Sequence, residues 1–257
     1  MNDSDNPALE GRVARERAAF DEGLKRERYE RVLAQGYVDH HYWNHRYAMV
    51  SDILRREPPE RALEFGSETW RRFLENNGIT PKETICINIS SAELEKGAEL
   101  APGSRVAPKF MLMDAHRLDF PDGYFDLVFG VAILHHLDLA IACAEIDRVL
   151  KPGGMMIFVE PLNTNPLAKL VRYLTPNART VDEAAFEWAE LDYVAERFDC
   201  RFEYEQLLTV FAGAVARPFI ADPDNMMTVS YTHLTLPTTC TPCGSRGWAG
   251  DGDGGGG

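Results

Sequence analysis

The sequence predicts an α/β fold: a doubly wound, mostly parallel sheet carrying a helical cap at its N-terminus. Three observations point there. From residue 61 onward, strand-like and helix-like segments alternate, the pattern of a parallel sheet covered by helices on both faces. The run from Leu127 to Leu134 is almost wholly apolar, as expected of a strand with no solvated face. Leu150-Lys151-Pro152-Gly153-Gly154 then halts a helix and turns the chain into Met155-Met156-Ile157-Phe158-Val159, because proline cannot continue a helix and glycine permits a positive-φ turn.

The elements follow in order. Residues 7 to 57 read as helical, with Leu9, Val13, Phe20, Leu24 and Tyr29 spaced among dense Arg and Glu, and Pro58-Pro59 closes this cap. Arg61 to Gly66 begins the sheet with a strand that turns at the glycine, and a helix from Thr69 to about Asn77 follows. Thr84 to Ile89 is the second strand, and Ser90 with Glu93 forms a capping box for the next helix. Lys109 to Asp114 is the third strand and Phe125 opens the fourth. Asp138 caps a helix whose Leu139, Ala142, Ile146 and Val149 make one apolar stripe. After the fifth strand, Thr180 and Glu183 suggest a capping box for a helix reaching Phe198, and Arg201 to Phe211 reads as a sixth strand.

Composition excludes several classes. Lys and Arg number 27 against 40 Asp and Glu, a formal net charge of −13, so phosphate backbones are repelled and no nucleic-acid partner is expected. No apolar run approaches a membrane span, and the polar start Met1-Asn2-Asp3-Ser4-Asp5 lacks signal-peptide character. Cys86, Cys143 and Cys200 read as buried reduced thiols, which places the chain in the cytoplasm. No metal site is expected. Oligomeric state is not legible.

Phe125-Asp126-Leu127-Val128 with Leu150-Lys151-Pro152-Gly153-Gly154 resembles the fourth and fifth strands of class I S-adenosylmethionine (SAM)-dependent methyltransferases of the type 11 sort. The resemblance implies a Rossmann-like methyltransferase fold, SAM as cofactor and methyl transfer to a small-molecule acceptor, a hydroxyl or similar group on a metabolite or saccharide-like substrate. The domains would then be a cap over 1–57, a SAM-binding domain over 58–228 that lacks its last strand, and a non-native tail over 229–257. Val229 to Thr239 resembles a sequencing-library adapter translated in one frame, and Cys240 and Cys243 form a lone pair within the tail.

In such a sheet, ligands bind outside the carboxyl ends of the strands. That rule gathers Glu64, Phe65, Gly66 and Ser67 from the first strand, Asn88 and Ile89 from the second, Asp114, Ala115 and His116 from the third, and Gly130 and Val131 from the fourth. By resemblance, Gly66 lets the backbone approach the methionine part of the cofactor, Asn88 holds the ribose position and Asp114 the adenine amino group. Asp126 stands at the amino end of its strand and reads as structural.

Two departures from the family pattern stand out. The E-x-G-x-G-x-G loop is here Glu64-Phe-Gly66-Ser-Glu68-Thr-Trp70, in which Glu68 and Trp70 narrow the approach to a ligand or, for the indole, form a wall beside the sulfonium. Asn88 replaces an acidic residue. His135 and His136 are candidate general bases, each with a plain structural alternative. Trp43, within the cluster from Tyr37 to Tyr47, and Asn163, Asn165 and Arg172 are candidate acceptor contacts. The rival readings are a non-catalytic SAM-binding or interaction protein with a degraded glycine loop and, more distantly, an NAD(P)-dependent oxidoreductase, whose G-x-G-x-x-G cradle is absent.

Overall fold

The computed structural model describes residues 7–21, 50–163, 173 and 185–202, together with the backbone of 239–245. The sheet runs in the order β3-β2-β1-β4-β5-β7-β6. Its strands are β1 (Arg61–Phe65), β2 (Glu83–Asn88), β3 (Lys109–Leu112), β4 (Phe125–Val131), β5 (Leu150–Glu160), β6 (Phe198–Cys200) and β7 (Thr239–Ser245). The first five are mutually parallel, and β7 lies antiparallel between β5 and β6. Helix α1 is Pro7–Asp21, residues 50–56 are helical, and α2 (Thr69–Phe73), α3 (Ser91–Glu99), α4 (Leu139–Val149) and α5 (Trp188–Arg197) complete the described helices.

Side-chain alternation along the buried strands builds two cores. Leu63, Phe65, Ile85 and Ile87 pack on one face with Cys143, Ile146 and Val149 of α4 and Leu191 and Val194 of α5. Ala62, Cys86, Leu127 and Phe129 pack on the other with Val50, Leu54, Trp70 and Phe73. Each fully buried Leu, Ile or Phe contributes roughly 1.5–3 kcal/mol, so helices on both faces are needed to bury a sheet this apolar.

Asp126 reads as expected. Its carboxylate accepts from Arg61 N at 2.8 Å and from Lys151 Nζ at 2.7 Å, binding the amino ends of β1, β4 and β5 together. Burial pushes this carboxyl up, but the Lys151 and Arg61 hydrogen bonds reverse that and hold it below its ordinary value.

Several details differ from the sequence reading. Lys151 to Gly154 form a bulge rather than a turn before the strand: Phe125 pairs with Leu150, and the next register pair is Leu127 with Met155. Gly153 sits there at φ 77. The sixth strand starts earlier, at Phe198, because α5 ends when the Phe198 backbone becomes extended. Residues 203–211, the Thr180 capping box and the cluster from Tyr37 to Tyr47 lie outside the described residues. The expected gap for a last strand is filled by Thr239–Ser245, from the stretch set aside as non-native. The outer edge of β5 presents backbone donors and acceptors that any extended segment can satisfy. Cys86 and Cys143 are free and buried, and burial pushes Cys143 up to about 12, so it is no nucleophile at neutral pH. Cys200 is disulfide-bonded, contrary to the reduced thiol expected.

Candidate functional site

The carboxyl ends of β1, β2 and β4 and the loop after β3 open into one cavity, covered by α1. Phe65, Gly66, Ser67, Asn88, Ile89, Asp114, Ala115, His116 and Val131 all line it. Two sequence-selected residues do not. The Glu64 side chain turns into the second core, and Gly130 serves packing, since a Cβ there would lie 2.8 Å from Ile133 Cγ2 and 2.9 Å from Phe65 O.

Glu64 is fully buried and organises the first loop. One carboxylate oxygen accepts from Thr69 N at 2.7 Å, and the other from Trp70 N at 3.1 Å and from the Cys86 thiol at 3.2 Å. It thus satisfies the first N–H groups of α2, a role a helix start usually gives to a short capping side chain. Burial pushes its carboxyl up despite these bonds. The held loop carries Gly66 at φ 128, where a side chain would be strained. Gly66 N donates to Ile87 O at 2.8 Å, and Ser67 Oγ donates to Glu93 O at 2.8 Å.

The glycine-poor loop is accommodated by direction. Trp70 neither narrows the cavity nor walls it: the indole is buried in the second core and donates to Ser67 O at 3.1 Å. Glu68 does face the cavity, with its side chain exposed to solvent.

At β2, Asn88 Oδ1 accepts from Ser90 N at 3.0 Å. That bond orients the amide and leaves its nitrogen as a donor and the second lone pair of Oδ1 as an acceptor for a ligand. At β3, Asp114 Oδ1 accepts from His116 N at 2.9 Å and His116 Nδ1 at 2.7 Å, while His116 Nε2 accepts from Asp138 N at 2.8 Å. An acceptor at Nε2 requires the proton at Nδ1, so His116 is neutral and fixed in one tautomer. Partial burial pushes the Asp114 carboxyl up, and the His116 bonds together with nearby Arg17 outweigh it, leaving the carboxyl below its ordinary value. Asp114 thus meets the cavity as a carboxylate with Oδ2 to offer.

The histidines after β4 separate. His135 does not line the cavity: its Nδ1 lies 2.7 Å from Glu160 Oε2, and Glu160 also accepts from Ile133 N and Leu134 N at 3.0 and 2.8 Å. His136 lines the cavity, and its Nδ1 faces Glu16 Oε2 at 3.0 Å without hydrogen-bond geometry. Asn163 stands apart, donating to Glu187 Oε1 at 2.9 Å. Trp43, Asn165 and Arg172 lie outside the described residues.

Sequence reading missed α1 as a wall. Arg12, Val13, Glu16 and Phe20 all line the cavity, and their spacing puts them on one helical face. The signal was present in the spacing, but two of the four are charged, so the face does not read as an apolar stripe.

The cavity fits an adenosine-bearing cofactor on its own chemistry: a side-chain-free turn at Gly66, an amide donor at Asn88 and an ionised acceptor at Asp114 follow one another across adjacent strands. Residues 63–158 match the family described as "Methyltransferase domain". That stretch of the chain is similar to a methyltransferase domain over β1 to β5. It is 40% identical over 75 residues to the 2-methyl-6-phytyl-1,4-hydroquinone methyltransferase of Synechocystis, covering 29% of this chain and 23% of that one. It is 34% identical over 109 residues to a ubiquinone/menaquinone biosynthesis C-methyltransferase of Cupriavidus metallidurans, covering 40% and 44%. The chain thus spans less than half the length of these curated relatives. A Thermotoga maritima SAM-dependent methyltransferase shares the fold, with a TM-score of 0.56 at 16% identity over 90% of this chain and 99% of that one. Among the described residues no group of His, Cys, Asp or Glu is arranged to hold a metal ion, and no helix is long and apolar enough to cross a membrane.

Proposed function

We propose that the chain transfers a methyl group from SAM to a hydroxyl on a small, largely apolar acceptor. The convergence of Gly66, Asn88 and Asp114 on one covered cavity carries this reading. Bound SAM supplies a methyl group already activated by its sulfonium. The Gly66 turn would admit the methionine part, the Asn88 amide would hold the ribose and the Asp114 carboxylate would accept from the adenine amino group. Catalysis then consists mainly of alignment and exclusion of water.

Beyond the cofactor residues, the walls include Val13, Phe20, Met113, Ile133 and Leu137, alongside His136 and the charged Arg12, Glu16, Glu68 and Glu93. The apolar part of this lining suits an aromatic or otherwise apolar body better than the saccharide-like acceptor that the sequence suggested. The names of the relatives, a hydroquinone methyltransferase and a ubiquinone/menaquinone biosynthesis C-methyltransferase, accord with an aromatic body. His136 is the candidate base for the hydroxyl proton, and His135 is structural.

Calorimetric titration of the full chain with SAM tests the reading. Saturable binding that Gly66→Trp abolishes is expected. No binding at millimolar SAM would overturn it.

A further inference from the structure

The acceptor that the loop after β3 gives the cavity is held by a side chain of the same loop. Asp114 lines the cavity, and its Oδ1 takes two hydrogen bonds from His116, one from the backbone N at 2.9 Å and one from ring Nδ1 at 2.7 Å. The ring also reaches the other way, where its Nε2 accepts from Asp138 N at 2.8 Å, at the N-cap of α4. A lone pair at Nε2 leaves the proton of the neutral ring on Nδ1, so the ring donates to Asp114. With its side chain 3% exposed and both nitrogens engaged, His116 is no proton carrier for a substrate.

The loop does not need this ring to stay in place. Ala115 and Leu118 are buried in the first core, and Arg117 N donates to Asp114 O at 3.0 Å. Leu118 N donates to Glu145 Oε2 at 2.7 Å, and Arg148 Nη2 donates to Leu118 O at 2.8 Å. What the ring adds is direction. The carboxyl torsion of an aspartate is broad when nothing holds it, and a backbone bond to Oδ1 alone leaves the plane free to swing about that contact. The second bond, from Nδ1, fixes the plane and with it the direction of Oδ2.

We infer, resting on the SAM reading above, that His116 is a positioning residue for nucleobase selectivity. It aims Asp114 Oδ2 so that the cavity takes a purine with an exocyclic amino group and rejects one with a keto oxygen in the same place. An amino group donates to the fixed carboxylate, whereas a keto oxygen sets acceptor against acceptor in a covered cavity. A carboxylate free to swing would turn away from the keto oxygen and lose that rejection.

The test compares S-adenosylhomocysteine with S-inosylhomocysteine, which differ in that group and the ring proton that goes with it, by calorimetric titration of the full chain. The unsubstituted chain should bind the adenosyl ligand roughly ten- to hundredfold more tightly, the worth of a hydrogen bond to a charged group. His116→Gln keeps an acceptor for Asp138 N but loses the donor to Asp114, and the selectivity should fall by about tenfold. His116→Asn keeps a donor at the Nδ1 position and loses the acceptor, and its selectivity should stay close to that of the unsubstituted chain even if its Tm is lower. An effect through folding alone would weaken both ligands equally and leave the ratio unmoved. An unmoved ratio in folded His116→Gln, or an equal fall in both variants, would overturn the role of His116. Equal binding of the two ligands by the unsubstituted chain would overturn it without any variant. No binding of S-adenosylhomocysteine would instead overturn the SAM reading.

Discussion

The two ends of the sheet use the same acidic side chains in opposite ways. At the amino ends, carboxylates meet cations and a phenol: Asp126 with Lys151, and Glu83 with Lys109 and Tyr124, each within 2.8 Å. At the carboxyl ends they meet backbone N–H groups and imidazoles: Glu64 with Thr69 and Trp70, Glu160 with Ile133, Leu134 and His135, and Asp114 with His116. A side-chain pair joins strands. A carboxylate on successive N–H groups instead shapes a loop, and the loops at this end form the cavity. Acid chemistry alone does not mark the site; its partners do.

Substitutions can break this contrast. Glu64→Leu should have the largest effect, because it leaves the Thr69 and Trp70 N–H groups without their acceptor. At about 1–3 kcal/mol for each buried group left unsatisfied, a fall of several degrees in Tm is expected together with loss of SAM binding. Retained SAM affinity in a folded Glu64→Leu chain would separate loop from cavity.

Gly97→Ala acts on the same loop from outside. A Cβ at Gly97 would sit 2.2 Å from Ser67 O and 2.8 Å from Ser67 Cβ, so the loop must move. Overpacking of this kind costs about 1–3 kcal/mol, and calorimetry should show SAM binding weakened alongside a lower Tm.

Asp126→Asn should be mildest, lowering stability by about 1 kcal/mol or less, as expected for a partly exposed pair, with the SAM affinity unchanged. Because the folded carboxyl is depressed below its ordinary value, its stabilisation is present above the unfolded pKa and is lost as pH falls through the folded one. Denaturant unfolding of both chains should therefore differ near neutrality and converge in acid. A difference that persists below the folded pKa would contradict that assignment.

Much of the fold was legible because periodicity and turn chemistry act locally. The apolar fourth strand, the Asp138 cap and the Ser90 cap all appear where the residues place them, with Asp138 accepting from Ala140 N and Ile141 N. The site was legible to the extent that strand polarity decides it. What sequence could not give was side-chain direction. Glu64 and Trp70 sit in the cofactor loop yet point into the core, and of two adjacent histidines only His136 reaches the cavity. The spacing of Arg12, Val13, Glu16 and Phe20 puts them on one face of α1, but what that face docks against is set by a distant part of the chain.

The most direct test of the central claim, that the cofactor binds at the carboxyl ends and not elsewhere on the sheet, is parallel calorimetric titration of SAM into Asp114→Ala and Asp126→Ala. Loss of a hydrogen bond to a charged group, about 1.5–3 kcal/mol, predicts weakening of roughly tenfold or more for Asp114→Ala and an unchanged Kd for Asp126→Ala. Equal weakening in both, or none in either, would contradict the account.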